Sequence, residues 1–103
     1  PTAIFASNDD MAAAVVSVAH RRHLDVPADL TVTGFDDTTA AVTLWPPLTT
    51  IRQPVLELAA EALQLLIREM RVGSAPAKGA RRCRVLKHVL IERESTAPPA
   101  GSG

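Results

Sequence analysis

Apolar and polar positions along the chain fall into short blocks whose period changes several times. The first, "AIFA" (residues 3–6), is an apolar run closed by the polar cluster "SNDD". That order predicts a buried strand and then a helix start. Ser7 or Asn8 is the natural cap, and Asp9 and Asp10 suit the positive end of the helix dipole. From residue 11 to about residue 23, Met11, Val15, Val18 and Ala19, with Ala12 and Val16 beside them, recur at helical spacing. The segment closes on "HRRH", cations that favour a helix C-terminus. After the turn "DVPAD", residues 30–35 predict a second strand. Strand, helix and strand with short connections form a βαβ unit, whose two strands lie parallel and end on one edge of the sheet.

The remaining blocks carry less chemistry. "TTAAVTLWPPLTTIRQP" contains Pro46-Pro47 and a short strand candidate, "LTTI", and reads as a connection without a helix. Residues 54–71 show a strong helical period: Val55, Leu58, Ala59, Ala62, Leu63, Leu66 and Met70 form one stripe expected in the core, with Pro54 in the first turn and Gly73 at the stop. "GSAPAKGARRCR" reads as a loop, residues 85–93 as a final strand, and residues 97–103 as a disordered tail. Residues 1–96 are then one domain.

Composition narrows the functional classes. The chain has 103 residues, room for one modest core, and eleven basic residues balance eleven acidic ones. No long-range field draws it to nucleic acid or an anionic membrane. A single cysteine, Cys83, excludes an internal disulfide, and no apolar run is long enough to span a bilayer. Both features point to a soluble protein in a reducing compartment. The chain opens without an initiator Met or a signal-like segment, at the threshold of a strand, as a piece of something longer would.

The chemistry gathers where the strands end. In "VTGFDDTT" (residues 32–39) a strand runs straight into two carboxylates, Asp36 and Asp37, with no Lys or Arg close by in sequence. If the strands are parallel, "SND" and "FDD" emerge on the same rim, and open α/β sheets bind ligands outside the carboxyl ends of their strands. Asn8 can donate and accept, and an ionised Asp36 only accepts, so the pair suits a neutral polyol or amide better than an anion. Each residue also has a plain structural role available: a helix cap for Asn8 or Asp10, an Asx-turn for Asp36, a cap or turn for Asp37. His20, His23 and His88 lack partners at metal spacing, so no metal or cofactor site is expected. "KGARRCR" has no interleaved aromatics and no recognition helix, and reads as a solvated loop.

Four motifs, "PTAIFASNDDMAAAV", "VPADLTVTGFDDT", "WPPLTTIRQP" and "LIERES", stand in the order and spacing of the C-terminal part of lactose/galactose repressor (LacI/GalR) family transcription regulators, which this chain resembles up to Thr96. The resemblance implies an α/β, three-layer, parallel-sheet fold of the periplasmic-binding-protein type I, with only its C-terminal portion present. It implies an effector-sensing and dimerisation module that binds a small polar ligand, a sugar or a nucleoside-like molecule, through Asn8 and Asp36. Effector binding would be coupled allosterically to operator DNA through an N-terminal headpiece absent from these residues. Many members of the family carry tyrosine where Phe35 stands here, a departure that bears on packing. The resemblance also implies a cytoplasmic homodimer formed by residues 11–23 and 40–45, with Ala12, Ala13, Val16, Leu44 and Trp45 at its interface. The stripe on residues 54–71 would need apolar cover, which a second copy could supply by exchanging that helix.

Two other classes compete. A periplasmic sugar-binding protein of a transport system shares the fold but would follow a signal peptide. A phosphoryl-accepting receiver enzyme would need a Lys at another strand end, and Lys78 and Lys87 lie in a loop and within a strand. Catalysis is therefore not expected.

Overall fold

A computed structural model describes residues 1–72 and 83–99. Its elements run β1 (Ala3–Phe5), α1 (Asp9–Arg21), β2 (Thr31–Thr33), α2 (Thr39–Thr43), β3 (Thr50–Arg52), α3 (Val55–Val72) and β4 (Val89–Ile91). Most of the loop at residues 73–84, including Gly73, and the end of the tail at residues 100–103 lie outside the described residues. The chain divides into one unit of Pro1–Gln53 with Val89–Gly103 and another of Pro54–His88.

In the first unit β1 and β2 pair in parallel, Ile4 opposite Val32, as the βαβ pattern predicts. β3 and β4 pair antiparallel, Ile51 opposite Leu90. Isolated parallel bridges, Thr33 to Thr49 and Asp36 to Arg52, join the two ribbons. The expected strand over residues 30–35 is thus shorter than its apolar pattern, because beyond Thr33 the chain switches partner: Gly34 and Asp36 donate their N–H groups to Thr49 and Ile51 carbonyls, at 3.0 and 2.9 Å. The final strand is likewise confined to Val89–Ile91, within the expected residues 85–93.

The core of this unit is aliphatic. Ala12, Val16 and Ala19 on α1 meet Val32, Leu30, Ala41 and Leu48. Full burial of Leu48 alone is worth roughly 1.5–3 kcal/mol. Of the expected α1 stripe, Met11 and Val18 are instead exposed, so the buried face is turned toward Ala12 and Val16. Residues 39–43 form the short helix α2, contrary to the expectation of a plain connection. Three apolar residues, Ala40, Ala41 and Val42, allow one helical turn before Pro46, and the burial of Ala41 against α1 stabilises it. At the far end Ser95, fully buried, accepts from the Thr49 N–H and donates to the Val32 carbonyl. Ala97, the first residue of the segment read as tail, is bound through both its backbone groups to Thr31 Oγ1.

The second unit is dominated by α3, which carries the predicted apolar stripe and an ion pair from Glu61 to Arg84 at 3.0 Å. The stripe is not core: Val55, Leu58, Leu63, Leu66 and Met70 are exposed, and no described residue of the helix is buried. Helical periodicity reports a face that can be buried, not that it is covered.

Candidate functional site

Two strand ends and one helix start build the rim. Asn8 follows β1 in an extended conformation, and its Oδ1 accepts from the Met11 N–H at 2.8 Å, so it is the N-cap of α1. Capping occupies the carbonyl oxygen and leaves the two amide N–H donors of the side chain for another partner. The next residue, Asp9, donates its N–H to the Phe35 carbonyl at 3.1 Å. That bond sets the start of α1 directly against the segment ending in Asp36, so Asn8 and Asp36 share the rim the sequence predicts.

Asp36 and Asp37 both have positive φ, 117° and 60°. Such conformations are costly for a residue with a Cβ, and Asp is among the few side chains found there with any frequency. Asp36 is half-buried, and its Oδ1 accepts from Gln53 Nε2 at 2.5 Å. Its second oxygen can accept a further hydrogen bond. Asp37 is not merely a turn residue. It accepts from Arg52 Nε at 2.6 Å and pairs with Arg93 Nη2 at 2.8 Å. Burial alone would push its carboxyl up, but the hydrogen bonds and charges of Arg52 and Arg93 outweigh that and hold it below its ordinary value. Arg93 also donates to the Leu48 carbonyl, which ties the ion pair to the core.

Sequence reasoning gave Asp9 only a dipole role. In the structure it is fully buried, with Oδ2 accepting from the Thr38 N–H and hydroxyl and Oδ1 from the Thr50 hydroxyl. Gly34 makes room for it: a Cβ there would lie 2.4 Å from Asp9 Oδ1 and 2.9 Å from a Leu48 methyl. Any side chain would displace the carboxylate.

The expected interface residues divide. Ala12 and Val16 are enclosed in the chain's own core, where they cannot meet a second copy; this corrects their assignment. Ala13 and Leu44 are partly exposed, and Trp45 is 75% exposed. A recess of about 390 Å³ between β1 and α1 is lined by Ile4, Val15, Val18 and Leu24, with Arg22 as its one charged residue, and this almost wholly apolar lining is poorly suited to a polyol. Among the described residues no group of three potential metal ligands occurs, and no helix is long and apolar enough to cross a membrane.

A parallel βαβ unit with amide and carboxylate side chains at its C-terminal rim is an arrangement compatible with an α/β domain of the periplasmic-binding-protein type. The chain belongs to the periplasmic binding protein-like domain family, which it matches over residues 1–96, in the form carried by LacI/GalR transcriptional regulators. It is 41% identical over 101 residues to the HTH-type transcriptional regulator DegA of Bacillus subtilis, covering 95% of this chain and 28% of that protein. Among solved structures it is similar to the lac repressor dimer bound to operator and the anti-inducer ONPF, with a TM-score of 0.82 and 30% identity over 95% of this chain and 32% of that one. It is also similar to the transcriptional regulator CelR in complex with cellobiose, with a TM-score of 0.79 and 32% identity over 91% of this chain and 28% of that one. The chain thus spans less than a third of the length of curated relatives such as DegA, 28% in that case. These relatives are regulators of transcription, and the family that the chain matches is not that of a phosphoryl-accepting receiver.

Proposed function

We propose that this chain is the effector-sensing and dimerisation part of a cytoplasmic regulator that binds a small polyhydroxylated ligand, most simply a sugar, and relays its presence to operator DNA. The observation that carries the reading is the shared rim: amide donors of Asn8 and a carboxylate acceptor of Asp36, set side by side by the Asp9 to Phe35 hydrogen bond. Donor and acceptor together match hydroxyl groups, which need both. The bound cellobiose of the CelR structure supports the ligand class, and the lac repressor dimer supports pairing of two copies. Operator contact would belong to an N-terminal headpiece outside these 103 residues. The ligand acts by binding one arrangement of the full protein more tightly than another.

The test uses the full-length protein and its own promoter DNA, with binding followed by fluorescence anisotropy while glucose, galactose, cellobiose and sucrose are added. One of these sugars should shift operator affinity. Asp36→Ala should bind operator normally but require about ten- to a hundredfold more sugar, the equivalent of lost hydrogen bonds to a charged group. An unchanged sugar response in Asp36→Ala would contradict the assignment.

A further inference from the structure

The effector reading leaves one acid at the rim without a task. Asp9 is fully buried, its two oxygens are occupied by Thr38 and Thr50, and among the described residues no cation pairs with it. A buried carboxylate without a counter-ion is costly, and here the cost is offset only by donors aimed at it. Those donors come from different parts of the fold. Thr38 lies two residues beyond Asp36 and opens α2, Thr50 begins β3, and the backbone N–H of Asp9 holds Phe35. Asp9 therefore grips the chain on both sides of Asp36 while being bonded in sequence to Asn8.

The geometry points to Asp9 as the positioning residue of the effector site: without touching ligand, it sets the separation and orientation of Asn8 and Asp36. This inference rests on the proposed reading that those two residues grip an effector. It also explains why Thr38, although the cap of α2, makes no side-chain cap bond: its hydroxyl is turned to Asp9. The positive φ of Asp36 and Asp37 is held in the same way, since Thr38 fixes the far end of that turn.

The experiment is calorimetric titration of the full-length protein with the tightest binder among glucose, galactose, cellobiose and sucrose, accompanied by thermal melts without sugar. Thr50→Val removes one donor at nearly constant volume and should weaken sugar binding about tenfold, whereas Thr50→Ser, which keeps the hydroxyl, should stay within about twofold of wild type. Asp9→Ala should weaken it further. In an Asp36→Ala background, Thr50→Val should change affinity by less than about twofold, because one of the two groups whose separation Asp9 sets is gone. A purely structural role predicts otherwise: lower melting temperature with wild-type affinity, or equal losses in both backgrounds. Either result would overturn the inference. Wild-type affinity in Asp36→Ala itself would instead sink the effector reading, and this inference with it.

Discussion

Under the proposed function Asn8 would serve two roles with different atoms. Its Oδ1 caps α1 through Met11, and its amide N–H groups are the ones a ligand would use. Asn8→Asp separates the roles, because Asp caps about as well as Asn but has no N–H to give. Chemical denaturation should find stability within about 0.5 kcal/mol of wild type, while sugar affinity falls roughly tenfold or more. Equal loss of stability and affinity would mean that the residue is a cap alone. That Asn8 and Asp36 follow strands on one rim was legible because a short polar side chain after an apolar run is a local signal. The burial and hydrogen bonds of Asp9 were not, since its partners stand 29 and 41 residues away in sequence. The same holds for Asp37, which looked free of basic neighbours until folding brought Arg52 and Arg93 to it.

At the level of elements, periodicity and caps predicted α1 and α3 to within about two residues, because both signals repeat along a helix. The strands were harder. Residues 30–35 read as one run, yet half of it pairs with β1 and the rest with the segment around β3, and no local pattern encodes a change of partner. α2 was missed because five residues ahead of two prolines carry too little period to register. The Asp37 ion pair joins these elements, linking the turn after β2 to the end of β3 and the residue two beyond β4. A carboxyl held below its ordinary value stabilises the fold at pH above that value, and the contribution is lost as pH falls through the lower, folded-state value. Asp37→Asn should therefore cost about 1.5–3 kcal/mol at neutral pH, and urea titrations should show the gap from wild type closing in acid. A gap that stayed constant with pH would mean that the charge on Asp37 does not contribute.

For the whole molecule, the apolar stripe of α3 was legible as a pattern while its burial was not, because a pattern says which face can be covered and not by what. The association surface changes in the same sense. With Ala12 and Val16 committed to the core, the proposed contact between copies rests on Ala13, Leu44 and above all the exposed Trp45. A buried Trp commonly anchors an interface at about 2 kcal/mol or more, so Trp45→Glu should weaken dimerisation of the full-length protein roughly thirtyfold in analytical ultracentrifugation. Wild-type association would place the interface elsewhere. The central claim, that the rim of Asn8 and Asp36 receives a polyhydroxylated effector, is tested most directly by calorimetric titration of full-length wild type and Asp36→Ala with the same four sugars. The account predicts saturable binding of one sugar by wild type and a loss of about ten- to a hundredfold in the variant; equal affinities for the two proteins would contradict it.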